Sequence, residues 1–148
     1  MKELQVYFED VTEGTELPGF NYGPITTEMM VRFACARNNF HPIHYDKDIA
    51  TAEGHPDVLV QGPLKLALFD RLIREWIGEY GVLKKLSASY RSVDLPGYTL
   101  TIKGTVVSKS IEDDCGNVYC ELQAENQKGA VTTKGTALVV LPLKTKGV

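Results

Sequence analysis

The sequence predicts an α+β fold in which a curved antiparallel sheet wraps around one long helix. Two observations indicate this architecture: a wide apolar stripe at helical spacing follows Pro63, and four runs of strand composition follow Gly81. A helix with such a stripe needs cover along most of its length, which a sheet can provide. The chain has 148 residues, 43% of them hydrophobic and 24% charged, as expected for one globular domain spanning residues 1–148.

The N-terminal part is predicted to be loop-like, because glycine and proline turn signals interrupt it repeatedly before the first helix. Thr26 or Thr27 is suited to cap that helix through its hydroxyl, and apolar side chains in residues 29–36 form its buried face. The helix is expected to end near residues 38–39, since asparagine is a poor helix former and Pro42 follows closely.

The long helix is expected to begin at Pro63, because proline is well tolerated in the first turn of a helix. Gly78 and Gly81 provide the breaks at its end. Its apolar stripe consists of Leu64, Ala67, Leu68, Leu72, Ile73, Trp76, Ile77 and Tyr80.

The four predicted strands cover residues 82–93, 99–110, 117–126 and 131–141. Apolar and polar residues alternate in the third run, which indicates a strand with one buried and one solvent-exposed face. Because the turn signals between the runs are short, we expect an antiparallel meander.

Bulk composition excludes several classes of function. The net charge is −3 and the chain has no basic patch, so nucleic acid is not an expected partner. The sequence shows neither a signal peptide nor an apolar run long enough to span a membrane, and we expect a cytoplasmic protein. The three cysteines are scattered and lack metal-ligand spacing with the histidines, so we predict a reducing compartment, no disulfides and no metal site.

The segment between the first and second helices is the most informative one for function. It contains His41 and His44, two of the three histidines, and Pro42 stiffens the backbone between them. Asn39 precedes them, and Asp46 follows as the expected cap of a short helix at residues 47–52. A histidine and an amide gathered on one short turn can hold a water molecule and move a proton, which indicates acid–base chemistry.

The order of these pieces resembles the MaoC-like dehydratase family, whose members have the hot-dog fold. The resemblance covers nearly the whole chain, and its strength lies in the collinearity of the matching segments rather than in any one of them. These segments are residues 7–14, Gly23-Pro24-Ile25-Thr26, residues 39–46, the glycine at the start of the long helix, Leu95-Pro96-Gly97-Tyr98-Thr99-Leu100 and Ala124-Glu125-Asn126-Gln127-Lys128-Gly129.

The active-site motif departs from the commonest pattern of that family, Asp-x-Asn-Pro-Ile/Leu-His. Asn39 stands at the Asp position and His41 at the Asn position, whereas Pro42, Ile43 and His44 match. A second branch with the pattern Asn-x-His-x-Ile-His-Tyr-Asp is more similar. This chain satisfies that pattern at every specified position, and it also resembles the branch at Gly62-Pro63-Leu64.

The resemblance implies (R)-specific hydration of trans-2-enoyl thioesters, usually of coenzyme A, or the reverse dehydration. We expect His44 to be the acid–base group, because imidazole titrates near neutral pH. Asn39 is either an amide that orients the water or a left-handed residue that ends the first helix. The backbone N–H of Gly62 is either an oxyanion donor at a helix N-terminus or part of a closely packed contact that requires glycine.

Three further residues are candidates for contact with substrate. His41 either assists or holds the shape of the turn, and the second reading is favoured. Gln61 stands where relatives often have histidine and could hydrogen-bond either the substrate or the loop. The role of Tyr45 is ambiguous. His55, next to Pro56, is expected to be a loop residue without a role in the site.

Two other functions stay open. The missing Asp is compatible with a non-catalytic partner subunit of a MaoC-like heteromeric dehydratase, and a hot-dog thioesterase is a weaker alternative. We expect an acyl-CoA substrate, no separate cofactor, and either a homodimer or a heteromer with another MaoC-like chain, since sheet edges tend to be paired or covered.

Overall fold

The computed structural model describes residues 5–144, which form one sheet and three helices. Helix α1 covers Thr27–Arg37, α2 covers Lys47–Ala52 and α3 covers Gly62–Ile77. The strands are β1 (Phe20–Tyr22), β2 (Val82–Tyr90), β3 (Leu100–Glu112), β4 (Cys115–Asn126) and β5 (Val131–Leu141). The predicted architecture of a sheet around one long helix is confirmed.

Helix α3 is the centre of the core. It is 16 residues long, or about 24 Å at 1.5 Å per residue, and its apolar stripe packs on β2, β3, β4 and β5. The helix lies close to the sheet at Gly135, where an added Cβ would come within 2.8 Å of the Phe69 ring. It ends at Ile77, and Gly78 follows with a φ of +72°, a conformation that glycine adopts without steric cost.

The five strands form one antiparallel sheet in the order β1-β3-β4-β5-β2. The meander expected from the short turns exists for β3, β4 and β5, but the expectation is wrong for β2. This strand pairs with β5, at the opposite side of the sheet from its sequence neighbour β3. The segment that joins β2 to β3 crosses the end of the sheet, where the N–H groups of Arg91 and Ser92 donate to the carbonyl of Thr132 at 2.8 and 3.2 Å.

Strand β1 was not expected. It is only three residues long, Phe20–Tyr22, and pairs with residues 100–102 of β3. A three-residue strand is too short to show a periodic pattern, and the surrounding turn signals predicted a loop.

The strand boundaries shift by a few residues from those expected. Strand β2 ends at Tyr90, and β3 and β4 are longer than predicted because their hairpin turns at Asp113 and Asp114 alone. Both aspartates have positive φ, 50° and 58°, as a two-residue hairpin turn requires.

Candidate active site

The turn between α1 and α2 is held in a fixed shape by its own backbone and side chains. Helix α1 ends at Arg37 and is capped by Asn38, which is left-handed with a φ of 50°. The left-handed capping role considered for Asn39 therefore belongs to its neighbour. Residues 42–44 form a 3-10 turn, and the Nδ1 atom of His41 accepts a hydrogen bond from the N–H of Ile43 at 3.4 Å. Asp46 then caps α2 by accepting from two backbone N–H groups at 3.0 and 3.2 Å.

His44 is oriented by one short hydrogen bond. Its Nδ1 lies 2.7 Å from the carbonyl oxygen of Leu59. Because a carbonyl only accepts, Nδ1 carries the proton in that bond, and the Nε2 of the neutral ring is left as an acceptor. Burial lowers the pKa of His44, and the charge of His41 lowers it further, against the opposing effect of the bond to Leu59. The site therefore favours a neutral imidazole that can take a proton.

The segment at residues 58–60 connects the histidine turn to the start of α3. The N–H of Leu59 donates to the carbonyl of Ile43 at 3.0 Å, so Leu59 bonds to the turn through its backbone N–H and its carbonyl oxygen. The N–H of Val60 donates to the carbonyl of Asp94 at 2.9 Å. Since Gly62 follows two residues later, this segment brings the His44 ring and the N-terminus of α3 to the same region.

His44 lines a cavity of about 220 Å³ that is mostly apolar. The other lining residues are Met30, Val31, Ala34, Phe40, Tyr45 and Gln61. Phe40 and Tyr45 are 53% and 51% exposed, which places them at the mouth of the cavity rather than at its base. An imidazole acceptor beside an apolar cavity is a suitable arrangement for proton transfer to or from a bound ligand that carries an apolar chain.

Gln61 is the most buried polar side chain of this cavity, with 1% of its surface exposed. Its Nε2 donates to the carbonyl of Met30 at 2.8 Å, which identifies that end of the amide as the nitrogen. Its Oε1 has no hydrogen-bond partner among the described residues. A buried acceptor left without a donor costs about 1–3 kcal/mol, so the position calls for a ligand or water that supplies a donor.

Gly62 is the first residue of α3, and its N–H is one of those that no intrahelical carbonyl can accept. Pro63 follows and has no N–H, so Gly62 contributes the first available donor of this helix end. A Cβ added at Gly62 would lie 3.0 Å from the ring of Tyr90. Glycine therefore permits the approach of Tyr90, and an oxyanion role for its N–H is compatible with the same geometry.

A buried ion pair lies behind this helix end and was not expected from the sequence. Lys65 Nζ is 2.9 Å from the Asp94 carboxylate, with 3% and 0% of the side chains exposed. The same carboxylate accepts from Thr132 at 2.6 Å and from Asn126 at 3.4 Å. One feature of the sequence could have indicated it: Lys65 directly follows Leu64 beside the apolar stripe of α3, and a lysine is rarely buried there unless it has a charged partner.

Residues 15–98, more than half of the chain, match the family described as hydroxyacyl-thioester dehydratase type 2. The chain belongs to this family. The matched stretch includes both the histidine turn and the start of α3, the two parts that meet at the cavity.

One similar protein is a subunit of a hydratase. The beta subunit of a 3-oxo-4,17-pregnadiene-20-carboxyl-CoA hydratase from Mycobacterium tuberculosis (strain ATCC 25618 / H37Rv) is 29% identical over 99 residues, which are 64% of this chain and 73% of that protein.

Solved structures show the fold. An (R)-hydratase from A. caviae involved in PHA biosynthesis has a TM-score of 0.80 at 21% identity, covering 90% of this chain and 99% of that one. A MaoC-like dehydratase from Rhodospirillum rubrum has a TM-score of 0.81 at 21% identity, covering 95% of this chain and 98% of that one. The hot-dog fold and the MaoC-like resemblance are confirmed, whereas the finer assignment to one motif branch stays a prediction.

The structure brings some of the expected site residues together and separates others. His44, Gln61 and Tyr45 line the cavity. The His41 ring centroid is 5.9 Å from that of His44, but the His41 side chain accepts the backbone N–H of Ile43 within the turn and does not line the cavity. Asn39 is half-buried and is not among the lining residues, and its backbone N–H donates to the carbonyl of Ala34 at 3.0 Å.

A larger depression of about 920 Å³ lies elsewhere on the sheet. Polar side chains such as those of Ser87, Thr101, Lys103 and Thr136 contribute much of its lining. None of the predicted site residues line it, and the chemistry argued from the sequence therefore belongs to the smaller cavity.

Three further observations concern metal binding, membrane crossing and cysteine chemistry. Within residues 5–144, no group of three or more His, Cys, Asp and Glu side chains is arranged to hold a metal ion. No helix of that same range combines the length and the apolar character needed to cross a membrane. Burial raises the pKa of the Cys120 thiol to about 12, so this cysteine is a core residue rather than a nucleophile.

Proposed function

We propose that this protein interconverts 2-enoyl and 3-hydroxyacyl thioesters, with coenzyme A as the expected carrier. The observation that carries the proposal is the neutral His44 imidazole, whose Nδ1 bonds to Leu59 and whose Nε2 is available beside an apolar cavity. Membership of the hydroxyacyl-thioester dehydratase family supports the reaction class.

The proposed hydration uses His44 twice. Its Nε2 takes a proton from water while the water oxygen forms a bond to C3 of the enoyl group. The same imidazole then returns that proton to C2, so the ring ends the cycle neutral. Positioned acid–base groups contribute about 10²- to 10⁴-fold in rate. All steps use the protein's own groups and water, so the proposal requires no cofactor apart from the thioester that is the substrate.

Gly62 is proposed to stabilise the charge that develops on the thioester oxygen. Its N–H has no intrahelical acceptor, and the positive end of the α3 dipole adds favourable potential at the same place. Donors of this type are worth about 2.7–4 kcal/mol of transition-state stabilisation.

The remaining candidates have supporting roles in this proposal. Tyr45 lies at the mouth of the cavity, where it can contact the acyl chain or pantetheine arm. His41 holds the turn that carries His44. Asn39 precedes that turn. We propose that its side-chain amide orients water at the edge of the site by hydrogen bonding.

The direct test is incubation of the purified protein with crotonyl-CoA. Loss of the enoyl absorbance without release of free thiol is the expected result. Release of thiol at the same rate would instead indicate a thioesterase. No reaction under any condition, with or without a partner chain, would contradict the proposed activity.

A non-catalytic partner subunit is the second candidate. The similar mycobacterial protein is named as a beta subunit, and this chain has Asn39 where an aspartate is common in the family. A chain that is silent alone, and that activates a second MaoC-like chain even when His44 is replaced by alanine, would establish this role.

Assembly into a dimer or a heteromer belongs to the same proposal. Three apolar side chains around the mouth of the cavity are strongly exposed: Val31 at 48%, Phe40 at 53% and Tyr45 at 51%. A second hot-dog chain that covers them would narrow the entrance and exclude water from the reacting atoms.

A further inference from the structure

The Gln61 carboxamide has one end used and one end free. Its Nε2 donates to the Met30 carbonyl at 2.8 Å, and that bond determines which way the amide faces. Its Oε1 is an acceptor with no partner in the described part of the chain, although only 1% of the residue is exposed. Such an oxygen requires a donor that the protein itself does not provide.

The free oxygen belongs to a residue that shares a cavity with His44. Apart from Tyr45 at the mouth, the other lining side chains are apolar and cannot donate a hydrogen bond. The cavity therefore contains two buried or half-buried acceptors, the Nε2 of a neutral His44 and the Oε1 of Gln61. A small molecule that satisfies both must carry two donor hydrogens, as water does.

We infer that Gln61 Oε1 and His44 Nε2 together hold the water that adds to the enoyl thioester, with Gln61 as the residue that orients it. This inference rests on the proposed function and deepens it. One hydrogen of the water bonds to Gln61 and stays on the oxygen, where it becomes the hydrogen of the 3-hydroxyl group. The other passes to His44 and from there to C2, so that one water molecule is consumed and both of its hydrogens are accounted for.

The same bond gives Gln61 a role toward the product. After addition, the 3-hydroxyl group has one hydrogen, and Gln61 Oε1 is the acceptor placed to receive it. A saturated acyl thioester without that hydroxyl cannot make the bond. Gln61 is therefore predicted to distinguish a 3-hydroxyacyl thioester from its saturated counterpart.

The test compares two substitutions of one residue. Gln61→Met keeps the length of the side chain but removes both the amide oxygen and the amide nitrogen. We expect kcat for crotonyl-CoA hydration to fall about 100-fold with little change in KM. In Gln61→His, one ring nitrogen can donate to the Met30 carbonyl while the other accepts from water, so we expect most of kcat to return. Thermal unfolding of both variants shows whether they are folded.

A binding measurement separates this inference from the proposed function. Wild-type protein is expected to bind 3-hydroxybutyryl-CoA about five- to tenfold more tightly than butyryl-CoA, as one added hydrogen bond allows, and Gln61→Met is expected to lose that preference. Wild-type kcat in a folded Gln61→Met, or an unchanged preference for the hydroxyl, overturns the role of Gln61 and leaves the proposed function standing. A wild-type protein that hydrates nothing contradicts the proposed function, and the hydroxyl preference then still decides whether Oε1 binds a donor.

Discussion

At the scale of single residues, the tautomer of His44 decides what the site can do. A ring whose Nδ1 donates to Leu59 at 2.7 Å presents Nε2 as its only basic atom. Replacing His44 by alanine removes that atom, and we expect hydration of crotonyl-CoA to fall by at least about 100-fold while the protein stays folded. His55→Ala is the matched control, because His55 is a half-buried histidine outside the cavity lining and should keep normal activity. Near-normal turnover in His44→Ala would remove His44 from the mechanism.

The pH dependence of hydration follows from the same residue. Burial lowers the pKa of His44 from its ordinary value of 6.5, so the neutral base persists to lower pH than in a free histidine. We expect kcat/KM to be flat near neutral pH and to fall only as pH drops through that lowered pKa. A pH–rate profile of the wild-type protein measures the midpoint, and a midpoint at or above 6.5 would contradict this environment for His44.

Asn39 offers a test of how far the site departs from its relatives. Its side chain is not part of the cavity lining. We expect Asn39→Asp to keep or increase hydration activity, because the substitution restores the aspartate of the commonest pattern of the family. Steady-state kinetics with crotonyl-CoA measure the effect. Complete loss of activity in a folded variant would show that the amide itself is required.

At the scale of secondary-structure elements, the N-terminus of α3 depends on the pair formed by Lys65 and Asp94. This pair joins the helix to the segment between β2 and β3, and the Asp94 carboxylate also accepts a hydrogen bond from the side-chain hydroxyl of Thr132. The carbonyl oxygen of Asp94 accepts the N–H of Val60 at 2.9 Å. The ion pair therefore supports the segment that leads into Gln61 and Gly62.

Lys65→Met should therefore destabilise the fold strongly. It leaves a buried carboxylate without its counter-charge, and such a loss costs about 3–5 kcal/mol in the free energy of unfolding. Urea unfolding measures it. Arg74→Met, on the same helix but in an exposed pair with Asp70, is the control and should change stability by less than about 1 kcal/mol. The double variant Lys65→Met with Asp94→Asn should recover part of the loss, since it carries no unpaired charge.

At the scale of the whole molecule, the exposed apolar mouth of the cavity predicts association. Strand β2 is at one end of the sheet and has a partner on one side only, β5, within the described residues. We expect light scattering to give a mass of at least two chains, either alone or with a second MaoC-like chain. Specific activity should then fall on dilution as the assembly dissociates. A monomer with full, concentration-independent activity would contradict a shared site.

The sequence alone was sufficient for the parts of the molecule that repeat or that obey local rules. The apolar stripe predicted α3, the alternation predicted β4, and Asp46 was correctly predicted to cap α2, because these features depend on neighbours within a few residues. The family resemblance indicated His44 as the acid–base residue, which stays a prediction. The three-residue β1 was missed, since so short a strand is defined by its pairing with β3.

Only the tertiary structure decided what lies opposite His44. It placed β2 beside β5, paired Lys65 with Asp94, and left Gln61 rather than Asn39 in the cavity with the imidazole. These contacts join residues far apart in the chain, and no local pattern encodes them. The state of the Gln61 oxygen is the clearest case, because whether a buried acceptor has a donor depends on every group around it.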